Sequence, residues 1–369
     1  MIYFDYSATT QTNEAVLSRF VDVSSRVFAN PNSQHMLGTI ANQFVVDATN
    51  SIKKSLNCLN HEVIFTSGAT ESNNLAIKGI CKSAEHLGKH IITTAYEHPS
   101  VIACISQLQS LGYEIDIVGL LPNGTLDLIE LKELLRQDTV LVSIAAVFSE
   151  LGFVQPIQEI SEIIHQYSNA VFHSDITQAV GKVHIPYASI DFMSVSAHKF
   201  YGIKGIGALL KKPDLACTPQ IIGGSSTTKY RSGTPSVVLI DSLATALKIQ
   251  LDDLSTKIKH VEEISGTFIK RLQKNPSVRF NRTSQCIPHI VNVSFFGHPS
   301  LVMQQKLSTR GIYVSFQTAC KLNEEVSIAV LRFTKDNQLA TTSLRFSFSH
   351  LTTHEEIDES ILIIEELLK

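Results

Sequence analysis

The chain has no CxxC pair. Its six cysteines, Cys58, Cys81, Cys104, Cys217, Cys286 and Cys320, are scattered along 369 residues. That spacing argues against a disulfide framework and against a zinc site. Charge of one sign is lacking as well. Thirty-one Lys and Arg stand against 34 Asp and Glu, for a net charge of −3, so no electrostatic footprint for nucleic acid is present. No uninterrupted apolar run approaches the roughly 20 residues that cross a bilayer. The opening MIYFDYSATT has neither a basic region nor an apolar stretch, so no secretory signal is expected. Internal repeats and flexible linkers are missing too. The expectation is a cytoplasmic protein with no nucleic-acid or membrane partner.

What remains is an ordered chain, 44% apolar, long enough for one large domain and a smaller one. From about residue 60 to 210, β-branched runs alternate with helical patterns. EVIFTSG, KHIITTAYEH, YEIDIVGL, TVLVSIAAVF, AVFHSD and DFMSVSA read as strands. ESNNLAIKGICKSAEHLG, PSVIACISQLQSLG, DLIELKELLRQ and IQEISEIIHQYS read as helices between them. The pattern predicts an α/β fold with a mostly parallel central sheet flanked by helices, and ligands in such sheets collect beyond the carboxyl ends of the strands. Residues 241–274 read as one long amphipathic helical stretch. Hairpin-like strands (HIVNVSFF, GIYVSF, TSLRFSFS) and a final helix follow. The division predicted is a large domain over 14–250 and a small α+β domain over 251–369, with segment 1–13 packing on the latter.

The polar clusters sit at strand ends. In SVSAHKFYGIKGIG, Lys199 follows a buried strand, beside Ser196 and His198. A desolvated amine suits a nucleophile that forms a Schiff base; an exposed turn lysine is the plain alternative. FTSGATESNN presents the amides of Ala69 and Thr70 at a helix N-terminus, either a phosphate seat or an ordinary cap. His98 in YEHPSV either stacks on an aromatic ligand, shuttles a proton, or caps a helix. Asp175 in FHSDITQAVGK, with Gln178 three residues on, requires a cationic partner or serves as an N-cap. Arg231, Ser232 and Thr234 in YRSGTPSV could reach a phosphate or form a helix-entry loop. Cys320 stands in a polar loop beside Lys321, a setting for a reactive thiol or for an incidental one. Arg345 on the alternating strand SLRFSFS suits a carboxylate or a structural ion pair.

Together, DYSATT, NPNSQHMLG, FTSGATESNNLAIKG, EHPSV, DITQAVGK, SAHKFYGIKGIGAL, RSGTP and TAC followed by LRFSFS resemble, in order, the NifS/IscS-like cysteine desulfurases. These are class V aminotransferase-group enzymes of the pyridoxal-phosphate fold type I, and the resemblance spans nearly the whole chain. It implies that Lys199 joins covalently to pyridoxal 5'-phosphate. It implies a stacking role for His98, which could also handle the substrate α-proton. Asp175 becomes the partner of the pyridine nitrogen and Gln178 the donor to the ring hydroxyl. Ala69, Thr70, Ser196 and His198 become phosphate contacts. Thr234 becomes a phosphate contact supplied by the neighbouring subunit, which implies a homodimer. Arg345 becomes the binder of the L-cysteine carboxylate. Cys320 becomes the nucleophile that carries sulfur as a persulfide to an acceptor protein, for iron–sulfur cluster assembly or tRNA thiolation.

The sequence also departs from the family. In AAVFSELG, Phe148 and Ser149 stand where the family has two asparagines before the glutamate. Phe148 is therefore expected to remove a polar contact beside the cofactor ring, worth roughly 1–3 kcal/mol if the partner stays unpaired. Ile176 replaces the usual alanine, QTACK replaces small residues around the cysteine, and the tail that in housekeeping members helps dock a scaffold protein is not expected here. Two further readings follow: a related lyase or aminotransferase acting on another amino acid, and a weakly active homologue serving as a binding partner.

Overall fold

The computed structural model describes residues 1–224, 226–316 and 326–369. A short strand, β1 (Ile2–Tyr3), precedes helices α1 (Glu14–Arg26) and α2 (Met36–Ser55). Strand and helix then alternate: β2 (Glu62–Thr66), α3 (Ala69–Ser83), β3 (His90–Thr94), α4 (Pro99–Ser110), β4 (Glu114–Val118), α5 (Leu128–Leu134), β5 (Thr139–Ser143), α6 (Ile157–Tyr167), β6 (Val171–Asp175), β7 (Phe192–Ser196) and β8 (Gly207–Lys211). Strands β2 to β8 form one sheet in the order β2-β8-β7-β6-β5-β3-β4. All neighbours are parallel except at β8, which runs against both β2 and β7. Runs such as HIITT and TVLVS are buried throughout, as strands covered by helices on both faces must be. Local chemistry sets the helix starts. Asp127 accepts from the amides of Ile129 and Glu130 ahead of α5, and Pro99 opens α4 behind the N-cap His98, satisfying or avoiding first-turn donors.

The second half is built on a separate apolar cluster that includes Phe4, Phe268, Phe295, Phe346 and Phe348. After α7 (Val237–Leu251) and α8 (Leu254–Leu272) come β9 (Val278–Phe280), β10 (Ile290–Phe295), α9 (Ser300–Thr309), β11 (Ile312–Tyr313), α10 (Ile328–Thr334), α11 (Asn337–Thr341), β12 (Ser343–Ser347) and α12 (His354–Leu367). A three-stranded antiparallel sheet has the order β12-β10-β9.

Three features differ from the sequence reading. The stretch 241–274 is two helices, broken where Asp253 adopts a left-handed φ of 55°. Lys257 Nζ seals the break, donating to the carbonyls of Ile249, Gln250 and Asp252, a cationic cap on the end of α7. GIYVSF contributes only β11, which pairs in parallel with β1 rather than joining a hairpin. The glycine-rich segment after Lys199 continues as the strand β8.

β8 approaches the start of α3 very closely. A Cβ built on Gly207 would lie 2.5 Å from the Val195 carbonyl oxygen and 2.6 Å from the Gly68 Cα. Gly207→Ala is therefore expected to destabilise the fold by about 1–3 kcal/mol through overpacking, read as a lowered denaturant midpoint. An unchanged midpoint would show that the Gly68 loop yields freely.

Candidate active site

The carboxyl ends of β2, β3, β5, β6 and β7 open onto a cavity of about 540 Å³. Its lining includes Ser67–Thr70 from the β2–α3 turn, Tyr96 and His98 after β3, Asp175 and Gln178 after β6, and Ser196, His198 and Lys199 after β7. Ser7, Ala8 and Thr9 close it from the N-terminal segment, and Arg345 reaches it from β12.

Lys199 Nζ donates to the carbonyls of Ser7 (2.7 Å) and Ala8 (2.8 Å). Both acceptors are backbone groups. Asp175 is buried, and its two oxygens are held separately. Oδ1 accepts from the Thr177 amide at 3.0 Å and Oδ2 from Asn73 Nδ2 at 2.9 Å. The same Asn73 amide donates to Ser100 Oγ at 2.9 Å, and that oxygen lies 2.8 Å from His98 Nδ1. A single buried network thus sets the orientation of His98 and Asp175. Burial lowers the pKa of His98, Asp175 opposes the shift and Lys199 adds to it. His198 is pushed down to about 4 by burial and by the nearby Lys199, Lys204 and Lys182. Both rings are neutral near pH 7.

At the other end, Gly68 leaves the α3 N-terminus open toward Ser196, whose Oγ would lie 3.3 Å from an added Cβ. Glu71 anchors this turn. Burial acts to raise its pKa, but Arg231 Nε at 2.9 Å and the Ser67 amide at 2.7 Å outweigh that and hold it low. Arg345, 2% exposed, donates from Nη1 to the Ser149 carbonyl at 2.8 Å and from Nη2 to Asp5 Oδ1 at 3.1 Å. Its Nε is buried with no hydrogen-bond partner among the described residues.

Among the described residues the lining carries three cations, Lys199, Lys204 and Arg345, and one carboxylate, Asp175. Such a set fits a ligand with two separated anionic groups and one cationic point. Of the residues singled out from sequence, Ala69, Thr70, His98, Asp175, Gln178, Ser196, His198, Lys199 and Arg345 all line the cavity. Thr234 does not; it is exposed on its loop, outside the cavity of its own chain. Cys320 lies outside the described residues. Phe148 is not in the lining either, contrary to its expected place beside a ring. It is 1% exposed and stacks on Tyr96 with centroids 5.3 Å apart, in an apolar cluster with Leu151, Phe153 and Val330. Burial of the benzyl group drives it there, and Tyr96 and Ser149 face the cavity instead.

Sequence reasoning missed Ser7, Ala8, Asn73, Tyr96 and Lys204. Ser7 and Ala8 act through backbone carbonyls, which carry no residue-type signal. Asn73, one turn into α3 and on its buried face, was legible as a buried amide needing partners.

A family model described as aminotransferase class-V matches residues 2–359, and the chain belongs to that family. Within it the similarity is to cysteine desulfurases. A cysteine desulfurase IscS of Rickettsia bellii is 38% identical, over 98% of this chain and 90% of its own length. A solved NifS-like protein superposes with a TM-score of 0.93 at 31% identity, covering 100% of this chain and 99% of its own. A structure of SspA in complex with cysteine gives 0.83 at 28% identity, covering 96% and 100%.

Glu97, between Tyr96 and His98, is buried, and both oxygens face the Ala145 amide. Burial pushes its carboxyl up to about 8, against hydrogen bonds from Ala145 and Thr94, with Asp175 adding to the rise. Between the ordinary value of 4.5 and about 8, the native state binds more proton than the unfolded chain, so stability falls as pH rises. Glu97→Gln is expected to flatten that fall, measured as the urea midpoint from pH 5 to pH 8. Parallel curves for the two proteins would contradict a raised carboxyl.

Proposed function

We propose that the protein is a pyridoxal-phosphate-dependent cysteine desulfurase that converts L-cysteine to L-alanine. The sulfur passes as a Cys320 persulfide to an acceptor for iron–sulfur cluster assembly or tRNA thiolation. The observation that carries this reading is the cavity's charge pattern among the described residues: Lys199, Lys204 and Arg345 as cations in the lining and Asp175 as its one carboxylate.

The residues present fit the cofactor. The open turn at Gly68, with the amides of Ala69 and Thr70, Ser196 Oγ and neutral His198, forms a phosphate seat. Asp175 would hold the proton of the ring nitrogen, Gln178 would donate to the ring hydroxyl, and His98 would cover one ring face. Lys199 would be the point of covalent attachment. When bound, pyridoxal phosphate supplies an electron sink for negative charge at an amino acid's α-carbon.

The chain's own groups do the rest. Arg345 takes the substrate carboxylate, held in place by Asp5 and the Ser149 carbonyl. The Lys199 amine, or neutral His98, accepts and returns the α-proton. The Cys320 thiolate forms an S–S bond to the substrate sulfur as the carbon–sulfur bond breaks. Carbon keeps the electron pair and a proton to give alanine, so no external reductant is needed. The 14–250 unit serves as the cofactor-binding domain, and the 251–369 unit, with segment 1–13, presents Cys320.

A homodimer completes the site. Phe28 (78% exposed), Met36 (75%) and Ile222 (88%) are large apolar side chains left in solvent. The loops that carry them meet at Asn32 Nδ2–Ser226 Oγ, 3.0 Å. Ile221 bridges to Arg231 on the Thr234 loop. Exposed apolar surface of this kind marks an interface, and a second copy seated there would carry its Thr234 loop along. Among the described residues no helix is long and apolar enough to cross a membrane.

Incubation with L-cysteine is expected to release alanine and leave a persulfide on Cys320, and Cys320→Ser to lose persulfide transfer. Lys199→Ala is expected to lose both the bound-cofactor absorbance and alanine release. Arg345→Leu should lower kcat/KM for cysteine at least ~10-fold, the value of a charged hydrogen bond. Full activity in Arg345→Leu would remove it from substrate binding. Ile222→Glu is expected to halve the mass seen by light scattering; an unchanged mass would reject this dimer face.

A further inference from the structure

Lys182 is 6% exposed and makes no ion pair with a carboxylate among the described residues. Its Nζ donates to Gln178 Oε1 at 2.6 Å. Gln178 Nε2 in turn donates to the Ser7 carbonyl at 2.9 Å, the same oxygen that accepts Lys199 Nζ at 2.7 Å. The Ser7 amide is itself tied to Ser347 Oγ at 2.9 Å. We propose that Lys182 is a positioning residue, which fixes the Gln178 amide so that its NH2 end serves the cavity and the Lys199 amine.

With Lys182 in its ammonium form, the geometry allows only one orientation of that amide. An ammonium offers donors and no acceptor, and a carbonyl offers acceptors and no donor. With Lys182 on one side and Ser7 on the other, a flipped Gln178 would set donor against donor and acceptor against acceptor. In the orientation present, one N–H is spent on Ser7 and the second remains for a ligand in the cavity that Gln178 lines. Burying a lysine without a counter-charge is costly. Burial does push its pKa well below the usual range, with Lys199 and Arg345 acting in the same direction. The other titratable groups that sense Lys182 are His198 and His289. None is an anion, so the position is not explained by a structural ion pair.

The inference rests on the reading that Lys199 carries pyridoxal phosphate. A donor directed at the ring oxygen favours loss of the proton shared by that oxygen and the Lys199 nitrogen. Loss of that donor's orientation lets the proton persist to higher pH. The test is the absorbance of the lysine-bound cofactor in the holoenzyme, followed against pH without substrate. Lys182→Met, which keeps the length and removes the donor, is expected to raise the midpoint by roughly 0.5–1 pH unit, the size of one hydrogen-bond effect. Lys182→Gln keeps a donor to Gln178 and should move it by less than half as much. In a Gln178→Leu background, Lys182→Met should add nothing.

An unmoved midpoint in Lys182→Met overturns the proposal. So do equal shifts in the Met and Gln variants, or an undiminished shift in the Gln178→Leu background, since either shows charge acting directly across space. Should Lys182→Met fail to fold, Gln178→Leu alone decides: a raised midpoint supports the relay and an unchanged one overturns it. Wild-type protein that takes up no pyridoxal phosphate overturns the functional reading along with this one. Normal uptake with unmoved variants overturns this one alone.

Discussion

Positive charge taken out of water is the constraint around which the cavity is organised. Lys199 and Arg345 converge on one space, with the buried Lys182 behind Gln178, and Asp175 is the one carboxylate in its lining among the described residues. Like charges in a poorly solvated space raise one another's free energy, so neighbouring dipoles, and for Arg345 also the Asp5 carboxylate, offset part of that cost. Lys199 lies on two backbone carbonyls, Lys182 on an amide oxygen, and Arg345 on one carbonyl and on Asp5. The two nearby histidines stay neutral because the same surroundings disfavour their charged forms. The site is thereby poised to accept anionic groups, which is what the proposed chemistry requires of it.

The N-terminal segment makes this arrangement possible. β1 pairs with β11, and Phe4 belongs to the second apolar cluster. Asp5 accepts from both Arg345 and Ser315, Ser7 and Ala8 receive Lys199, and Thr10 bonds to the His198 carbonyl and the Tyr201 amide. Within ten residues the chain links the small sheet to the end of β7. Its tethers are short and mostly backbone-based, which gives rigid placement at little side-chain entropy. Positions on rigid elements are the ones that hold a catalytic constellation to the needed tolerance.

The Tyr96–Phe148 pair defines a different border. Phe148 fills an apolar cluster shared with α10 and α11, and Tyr96 stands between that cluster and the cavity. Replacing an amide by a benzyl group thus does more than subtract a hydrogen bond. The side chain follows burial into the cluster, and the cavity wall there becomes the Tyr96 face and the Ser149 segment.

The parallel sheet, the helices between its strands and most of the cavity residues were legible from sequence. Those elements depend on local periodicity and on polar residues stranded at the ends of apolar runs, such as Asp175 after VFHS or Lys199 after FMSVS. What escaped depends on contacts between distant segments. The break at Asp253 is stabilised by Lys257 reaching back to carbonyls of the previous helix, β11 chose β1 over a neighbouring strand, and Lys199 found its acceptors nearly 200 residues earlier in the backbone of Ser7 and Ala8. Backbone carbonyls look alike in every residue. Which of them meets the half-buried Lys199 amine is decided only when the chain packs, whereas the alternation that builds the sheet is written residue by residue.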